Sequence, residues 1–355
     1  MKMLSQSGAI AAKAKAMYGH RITSDQYEEL IRKRSVTEIA QLLKNETGFA
    51  NTLKDIHETT IHRGQLEHFL HQDMYQRLDK LVRYADGKEK AYFLAVLKEI
   101  ELEQLLTRIR MILSQDFTYA LSDVPLALER YSKLDTQKLI VSKTYEELLE
   151  GLKGSDYEKR LAPFATKDMA HFDYTGCEMA LYHYYIEYVM HTIDRVFKGK
   201  TRRTLRQMWA TRIELDNITR IYRYKKFFHV DEDTIASSLM DCEGCIPKAK
   251  LKEMIAAKDA KELLALLAAS PYHIHVDDKE YVYIEYFADH IKYHLAHRHM
   301  HYDSKAAIVY SAYQLMAERE IENLINIIEG VRYRISPDEM KTMLIYDKEL
   351  GDVKA

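Results

Sequence analysis

Cys242-Glu-Gly-Cys245 has the spacing of a zinc knuckle or a redox pair. No second Cys or His pair accompanies it at a metal-binding spacing. Cys177 brings the cysteines to three, an odd number without a disulfide framework. A reduced, cytosolic chain with a plain loop at 242–245 is the simpler expectation. His290, His294, His297 and His301 recur on one helical face, where two His four apart can chelate a metal. Glu285 and Asp289 beside them complete no known catalytic signature. The expectation is a solvated or interface stripe that gains charge at acid pH. From Arg195 to Lys226 the chain carries eleven Lys or Arg against two acids, Glu214 and Asp216. Such a run is a solvated face or a contact for an acidic partner or a membrane surface. No nucleic-acid motif lies beside it, and Lys plus Arg at 52 against Asp plus Glu at 54 does not make a polyanion binder overall. No nucleic-acid partner is expected.

One further set of residues could do acid–base work. Glu101-Leu-Glu-Gln-Leu-Leu-Thr-Arg-Ile returns as Glu214-Leu-Asp-Asn-Ile-Thr-Arg-Ile and again as Glu320-Ile-Glu-Asn-Leu-Ile-Asn-Ile, 113 and then 106 residues on. Each Glu stands one turn from an amide, Gln104, Asn217 or Asn323, and such a pair could be a general acid site. Catalysis needs one pocket, whereas a polar pin that fixes how helices cross is needed in every copy. The pairs therefore read as structural. The sequence also holds no Gly-rich phosphate loop, nucleophile elbow or HExxH. No catalytic residue, cofactor or metal site is expected.

Helices must position these residues. Apolar residues at +1, +4 and +8 from each Glu (Leu102, Leu105, Ile109; Leu215, Ile218, Tyr222; Ile321, Leu324, Ile328) fall on one α-helical face. A second element repeats with a similar period: Val36-Thr-Glu-Ile-Ala-Gln-Leu-Leu ending at Phe49, Thr144-Tyr-Glu-Glu-Leu-Leu ending at Tyr157, and Asp259-Ala-Lys-Glu-Leu-Leu ending at Tyr272. Between them lies a long helical hairpin, three times over: 61–84 out and 88–114 back, 179–197 and 200–228, 281–300 and 304–333. The Glu motif sits on the return arm each time. Tyr182, Tyr184, Tyr185 and Tyr188 on the second outgoing arm read as core packing. The 12 Gly and 5 Pro in 355 residues favour long helices with short joints. Pro125, Gly244 and Pro247 mark the joints between copies. No apolar run approaches the length that spans a bilayer, and the N-terminus lacks the apolar core of a signal peptide. The expectation is an all-α fold of three related modules, 1–120, 121–240 and 241–355.

Two segments carry a family likeness: Glu318-Arg-Glu-Ile-Glu-Asn-Leu-Ile-Asn-Ile-Ile-Glu-Gly-Val-Arg-Tyr, and Lys15-Ala-Met-Tyr-Gly-His-Arg-Ile-Thr with Val36-Thr-Glu-Ile-Ala-Gln-Leu-Leu. With the threefold repeat, the chain resembles the central-stalk C subunit of V-type (A-type) rotary ATPases, the relative of the eukaryotic d subunit. The resemblance implies three helical modules around a pseudo-threefold axis, forming a funnel on the cytoplasmic face of the membrane. One copy per complex would join the D and F shaft to the membrane rotor ring, linking ATP synthesis or hydrolysis to proton or sodium transport without catalysis of its own. By analogy, shaft or ring contacts are expected at Gln104, Arg108, Asn217, Arg220, Asn323, Glu329 and Arg332, with Tyr18 and Arg21 as further candidates. The alternative is a helical scaffold outside any ATPase.

Overall fold

The computed structural model describes residues 6–57, 61–117, 130–166, 168–228, 230–274 and 284–346. Among these residues every regular element is helical. In chain order they are α1 (Gln6–Tyr18), α2 (Ser24–Leu30), α3 (Val36–Glu46), α4 (Arg63–Val82), α5 (Lys90–Ser114), α6 (Thr136–Val141), α7 (Tyr145–Gly151), α8 (Asp156–Leu161), α9 (Tyr174–Val196), α10 (Gly199–Arg223), α11 (Glu232–Ser238), α12 (Lys248–Ala256), α13 (Ala260–Ala268), α14 (Ile284–Tyr302), α15 (Ala306–Tyr333) and α16 (Pro337–Thr342). Two short 3₁₀ turns precede α9, and a π-helical turn, Tyr224–Phe228, ends α10. Pro125, the start of the third outgoing arm at Tyr281 and the tail after Leu350 lie outside the described residues.

The long arms follow from composition. With no Pro inside them and apolar residues at helical spacing, α5, α10 and α15 run 25, 25 and 28 residues. All nine residues of the predicted stripes are buried, none more than 4 % exposed. Each contributes on the order of 1.5–3 kcal/mol of transfer free energy. The turn from α4 to α5 needs a residue at positive φ, supplied by Gly87 at 54°.

The short repeated helices share one capping chemistry. Ser35, Thr144 and Asp259 accept from the backbone N–H of Glu38, Glu147 and Glu262. Those three glutamates reach back to the N–H of Arg34, Lys143 and Lys258, at 2.9, 2.6 and 2.8 Å. Orphan donors at each helix start are thus satisfied reciprocally. The shared cap places Ser35, one residue before the predicted start at Val36, in register with Thr144 and Asp259.

The chain divides into two compact units. The first comprises Met1–Met74 and Arg203–Ala355, with α14 and α15 packed as a hairpin and α1 lying along α15. Lys15 of α1 donates to the carbonyls of Asp303 and His301 at 2.7 and 3.2 Å, filling acceptors that the end of α14 leaves open. The second comprises Tyr75–Arg202 and is built on α5 against α9. Tyr184 and Tyr185 of α9 are buried, and Tyr185 donates to the Val96 carbonyl at 3.2 Å. Tyr182, half-buried, donates to Glu103 at 2.9 Å, and burial raises the Glu103 pKa.

Candidate functional site

The repeated Glu-and-amide pairs do not bond to one another. All but Gln104, which has no side-chain partner among the described residues, hold a different segment of chain. Asn217 of α10 donates to the carbonyl of Met240 at 2.7 Å and accepts from its N–H at 3.0 Å. Asn323 of α15 does the same to Ile345, at 2.7 and 3.1 Å, and also donates to the Tyr27 hydroxyl at 3.3 Å. A side-chain amide that grips both polar groups of one buried residue fixes that residue as a β-ladder would. Tyr27 stacks on Tyr346 with ring centroids 4.8 Å apart, and burial beside Glu320 drives its pKa far up. It therefore stays a neutral phenol.

The glutamates cap turns. Glu214 accepts from the backbone N–H of Cys245 and Ile246 at 2.8 and 2.9 Å and from the Tyr272 hydroxyl at 2.5 Å. Glu320 accepts from the N–H of Ile22 at 2.8 Å. Glu101 accepts from the Tyr157 hydroxyl at 2.7 Å and from Lys98 at 2.9 Å. Burial, with the adjacent carboxylate, pushes Tyr157 and Tyr272 far up, so both stay protonated donors. The Cys242–Cys245 loop is the cradle of Glu214. A Cβ at Gly244 would land on the Glu214 carboxylate, so only glycine lets the backbone approach this closely. Burial, then the charges of Glu214 and Asp241, raise the Cys242 thiol to about 11, the opposite of a reactive thiolate.

In the first two copies the acid two residues after the Glu reaches a second helix. Glu103 of α5 takes Tyr182 of α9, and Asp216 of α10 takes Lys292 of α14 at 2.9 Å. Lys292 also pairs with Asp289 at 2.9 Å, and Asp289 with Arg319 at 2.8 Å. Burial opposes the Lys292 charge, but Asp216 and Asp289 outweigh it and raise its pKa. On the last motif helix, Glu322 pairs with Arg319 at 2.6 Å, and Glu329 with Arg63 of α4. The N-terminal elements are therefore gripped by the C-terminal motif helix at Ile22, Tyr27 and Arg63.

Of the residues expected to meet a partner, Arg108, Asn217 and Asn323 are buried at 3 %, 0 % and 1 % exposure, so within this chain they act on the segments they hold. Arg108 donates to the Ser142 hydroxyl at 3.4 Å. Gln104, Arg220 and Glu329 are half-buried, and Arg220 donates to the Ser238 carbonyl at 3.2 Å. Arg332 is exposed, 3.9 Å from Glu329 and over the Tyr333 ring. Tyr18 is buried under the half-buried Arg21, whose guanidinium lies 4.1 Å from its ring centre. Sequence reasoning missed the backbone partners of the pins and the phenol donors. The shared spacing of Tyr157 and Tyr272 behind Glu101 and Glu214, 56 and 58 residues, was the available signal.

Among the described residues no cluster of three or more His, Cys, Asp or Glu could hold a metal. The histidine stripe is packed in pairs. His290 and His294 share a hydrogen bond at 3.0 Å, and His297 and His301 lie with ring centres 4.0 Å apart. Burial, then His294, lowers His290 to about 4, and burial lowers His294 as well. The His290–His294 half of the stripe thus resists the protonation expected of a solvated face. An unfolded imidazole titrates near 6.5, so the unfolded chain takes up protons first as pH falls. Stability is expected to fall between about pH 6.5 and about pH 4. Urea midpoints measured across that window should drop less in His290→Gln than in wild type.

Among the described residues no helix is long and apolar enough to cross a membrane. Residues 10–343 match the model of the ATP synthase (C/AC39) subunit family. The C subunit of the A-type ATP synthase of Methanosphaera stadtmanae is 23 % identical over 263 residues, 74 % of this chain and 65 % of the relative. That of Methanosarcina mazei is 20 % identical over 64 % of this chain and 61 % of the relative. That of Methanocaldococcus jannaschii is 28 % identical over 56 % of this chain and 49 % of the relative. The chain thus spans less than two thirds of the length of these relatives. With a match that runs from α1 through α16, the chain belongs to the ATP synthase (C/AC39) subunit family.

Proposed function

We propose that this protein is a non-catalytic central-stalk subunit of a V-type/A-type rotary ATPase. It joins a shaft of D and F subunits to the membrane rotor ring, so that ATP synthesis or hydrolysis is linked to proton or sodium transport. It sits at the cytoplasmic face of the membrane, peripheral and in one copy per complex. Its chain is three modules, 1–120, 121–240 and 241–355, arranged as a funnel. The observation that carries the reading is the family match over residues 10–343. The names of the relatives point the same way.

The packing supports it independently. A torque coupler must resist shear between helices. Here each motif helix carries a polar pin at its Glu or its amide, and five charged groups run in series from Asp216 through Lys292, Asp289 and Arg319 to Glu322. Such groups favour one register, because slipping by one turn would separate the half-buried Lys292, Asp289 and Arg319 from their partners. The contact residues we propose are Gln104, Arg108, Asn217, Arg220, Asn323, Glu329 and Arg332. Arg332 and the half-buried Arg220, Gln104 and Glu329 would touch a partner directly. Arg108, Asn217 and Asn323 would act by holding the neighbouring segments.

Reconstitution with candidate shaft and ring subunits, read as a sized complex, tests the proposal. Arg332→Glu should weaken that assembly at least about tenfold, the effect of about 1.4 kcal/mol at a contact, while leaving the helical content unchanged. Arg220→Glu should do the same at greater cost to stability, because it also releases the Ser238 carbonyl. Failure of wild type to bind either partner would favour a helical scaffold outside an ATPase.

A further inference from the structure

The three glutamates differ in one respect. Glu214 and Glu320 are capped by backbone N–H groups of a turn, whereas Glu101 is not. Both of its bonds fall on Oε2, from Tyr157 and Lys98. Its Oε1 accepts no hydrogen bond among the described residues and is left open to the cleft, although the side chain as a whole is only 7 % exposed. In front of it opens a cleft of about 700 Å³, lined by Lys98, Glu101, Tyr157 and Tyr188 on one side and by Lys133 and Leu134 on the other.

The missing donors can be located from the other copies. Ile22 and Ile246 each stand two residues before the first residue of a helix, α2 and α12. Leu134 stands two residues before Thr136, the start of α6. Counted from the glutamates, Cys245 and Ile246 lie 31 and 32 residues beyond Glu214, and Lys133 and Leu134 lie 32 and 33 beyond Glu101. The register agrees within one residue, and all three marker positions are aliphatic. Ile22 and Ile246 are buried at 4 % and 7 %, while Leu134 is half-buried and faces the cleft. Its N–H is turned to the Ser132 hydroxyl at 3.1 Å. The following helix agrees: α2 and α12 bury side chains, and α6 buries none.

Two contacts hold the 131–134 turn off. Arg130 donates to Asp79 at 2.7 Å, and Tyr131 bonds the same carboxylate. On the other wall Lys98 occupies Glu101, flanked by the rings of Tyr157 and Tyr188 at 5.3 and 5.2 Å. The residues three before the other glutamates are Thr211 and Ala317, neither of which carries an ammonium.

We infer that Glu101 is a receiving site for two successive peptide N–H groups, and that its occupant is this chain's own 131–134 turn, which docks through Lys133 and Leu134 and carries α6 with it. Docking buries Leu134 and frees Lys98 and Arg130 from their carboxylates. The structure holds the undocked position.

Spin labels at Lys133→Cys and Lys153→Cys, both exposed and both lining the cleft, report the movement by pulsed dipolar spectroscopy. The background is Cys242→Ser/Cys245→Ser, with buried Cys177 retained. Arg130→Ala/Tyr131→Phe removes the two restraints and should add a population at shorter distance. Lys98→Met, made in unlabelled protein, should slow exchange of the Leu134 amide by ~10-fold or more, because that N–H then enters a buried bond. Adding Glu101→Gln should reverse both effects. A distance distribution unmoved by releasing Asp79, or a shift that survives Glu101→Gln, overturns the inference. Circular dichroism of each variant keeps loss of fold from being read as either result.

Discussion

Asn323→Ala and Asn217→Ala are expected to be among the most damaging single substitutions in the chain, each costing about 3 kcal/mol or more. The reason is not the loss of the amide itself. Each change strands a buried N–H and a buried C=O, of Ile345 or of Met240, and an unpaired buried group costs about 1–3 kcal/mol. Asn323→Ala also removes the donor to Tyr27, so it should be the worse of the two. Gln104→Ala supplies the comparison. It occupies the same place in the repeat but is half-buried and has no side-chain partner among the described residues, so it should cost less than about 1 kcal/mol. Urea midpoints for the three variants, followed by helical circular dichroism, decide the matter. Equal losses at all three would mean that the amides act through helix propensity and not as pins.

How far the sequence reaches is visible at these positions. The helical stripe at Leu215, Ile218 and Tyr222 was legible because burial and periodicity are the same information on an amphipathic helix. The short repeated helices were legible too, although their shared cap lies at Ser35 and not at Val36, since a Val can open a helix but cannot accept its orphan N–H. The Glu-and-amide pairs were expected to pin how helices cross, whereas their members hold turns and single residues, and those partners were not readable. Met240 and Ile345 are gripped through their backbones, and a backbone carries no sequence signature. The cysteine pair at 242 and 245 drew attention as chemistry, yet the residue that matters between them is Gly244. The histidine stripe was placed correctly on a helix face, but its pairing into His290–His294 and its burial depend on what packs over it.

The electrostatics show why buried carboxylates persist here. A buried charge is costly unless its acceptor sites are filled. Glu214 meets that condition with two peptide N–H groups and a phenol, none of which carries a charge of its own. Lys98 at Glu101 fills the role with an ammonium, leaving one oxygen over. The same motif helix thus carries a capped turn in one copy and faces a cleft in another.

Gly244→Ala should show the second large effect, because the new Cβ has no space that Glu214 does not already fill. The turn must retreat, and with it go the N–H bonds from Cys245 and Ile246. Charge-assisted bonds of this kind contribute about 1.5–3 kcal/mol each, so a loss of about 3 kcal/mol or more is expected. Glu214→Ala alone should cost about as much, since it leaves the same donors and the Tyr272 hydroxyl unpaired. The double variant separates a clash from a general dislike of alanine in the loop. With the carboxylate gone, the Cβ of residue 244 enters the space it vacated, so Gly244→Ala should then cost less than about 1 kcal/mol. The coupling of about 2–3 kcal/mol lies at the upper end of what contacting residues show. Additive losses would mean that Gly244 is needed for its backbone conformation and not for the approach of the turn to Glu214. Its φ does not fall in the left-handed region that favours glycine, unlike that of Gly87. Close approach is therefore the physical reason for a glycine at this place.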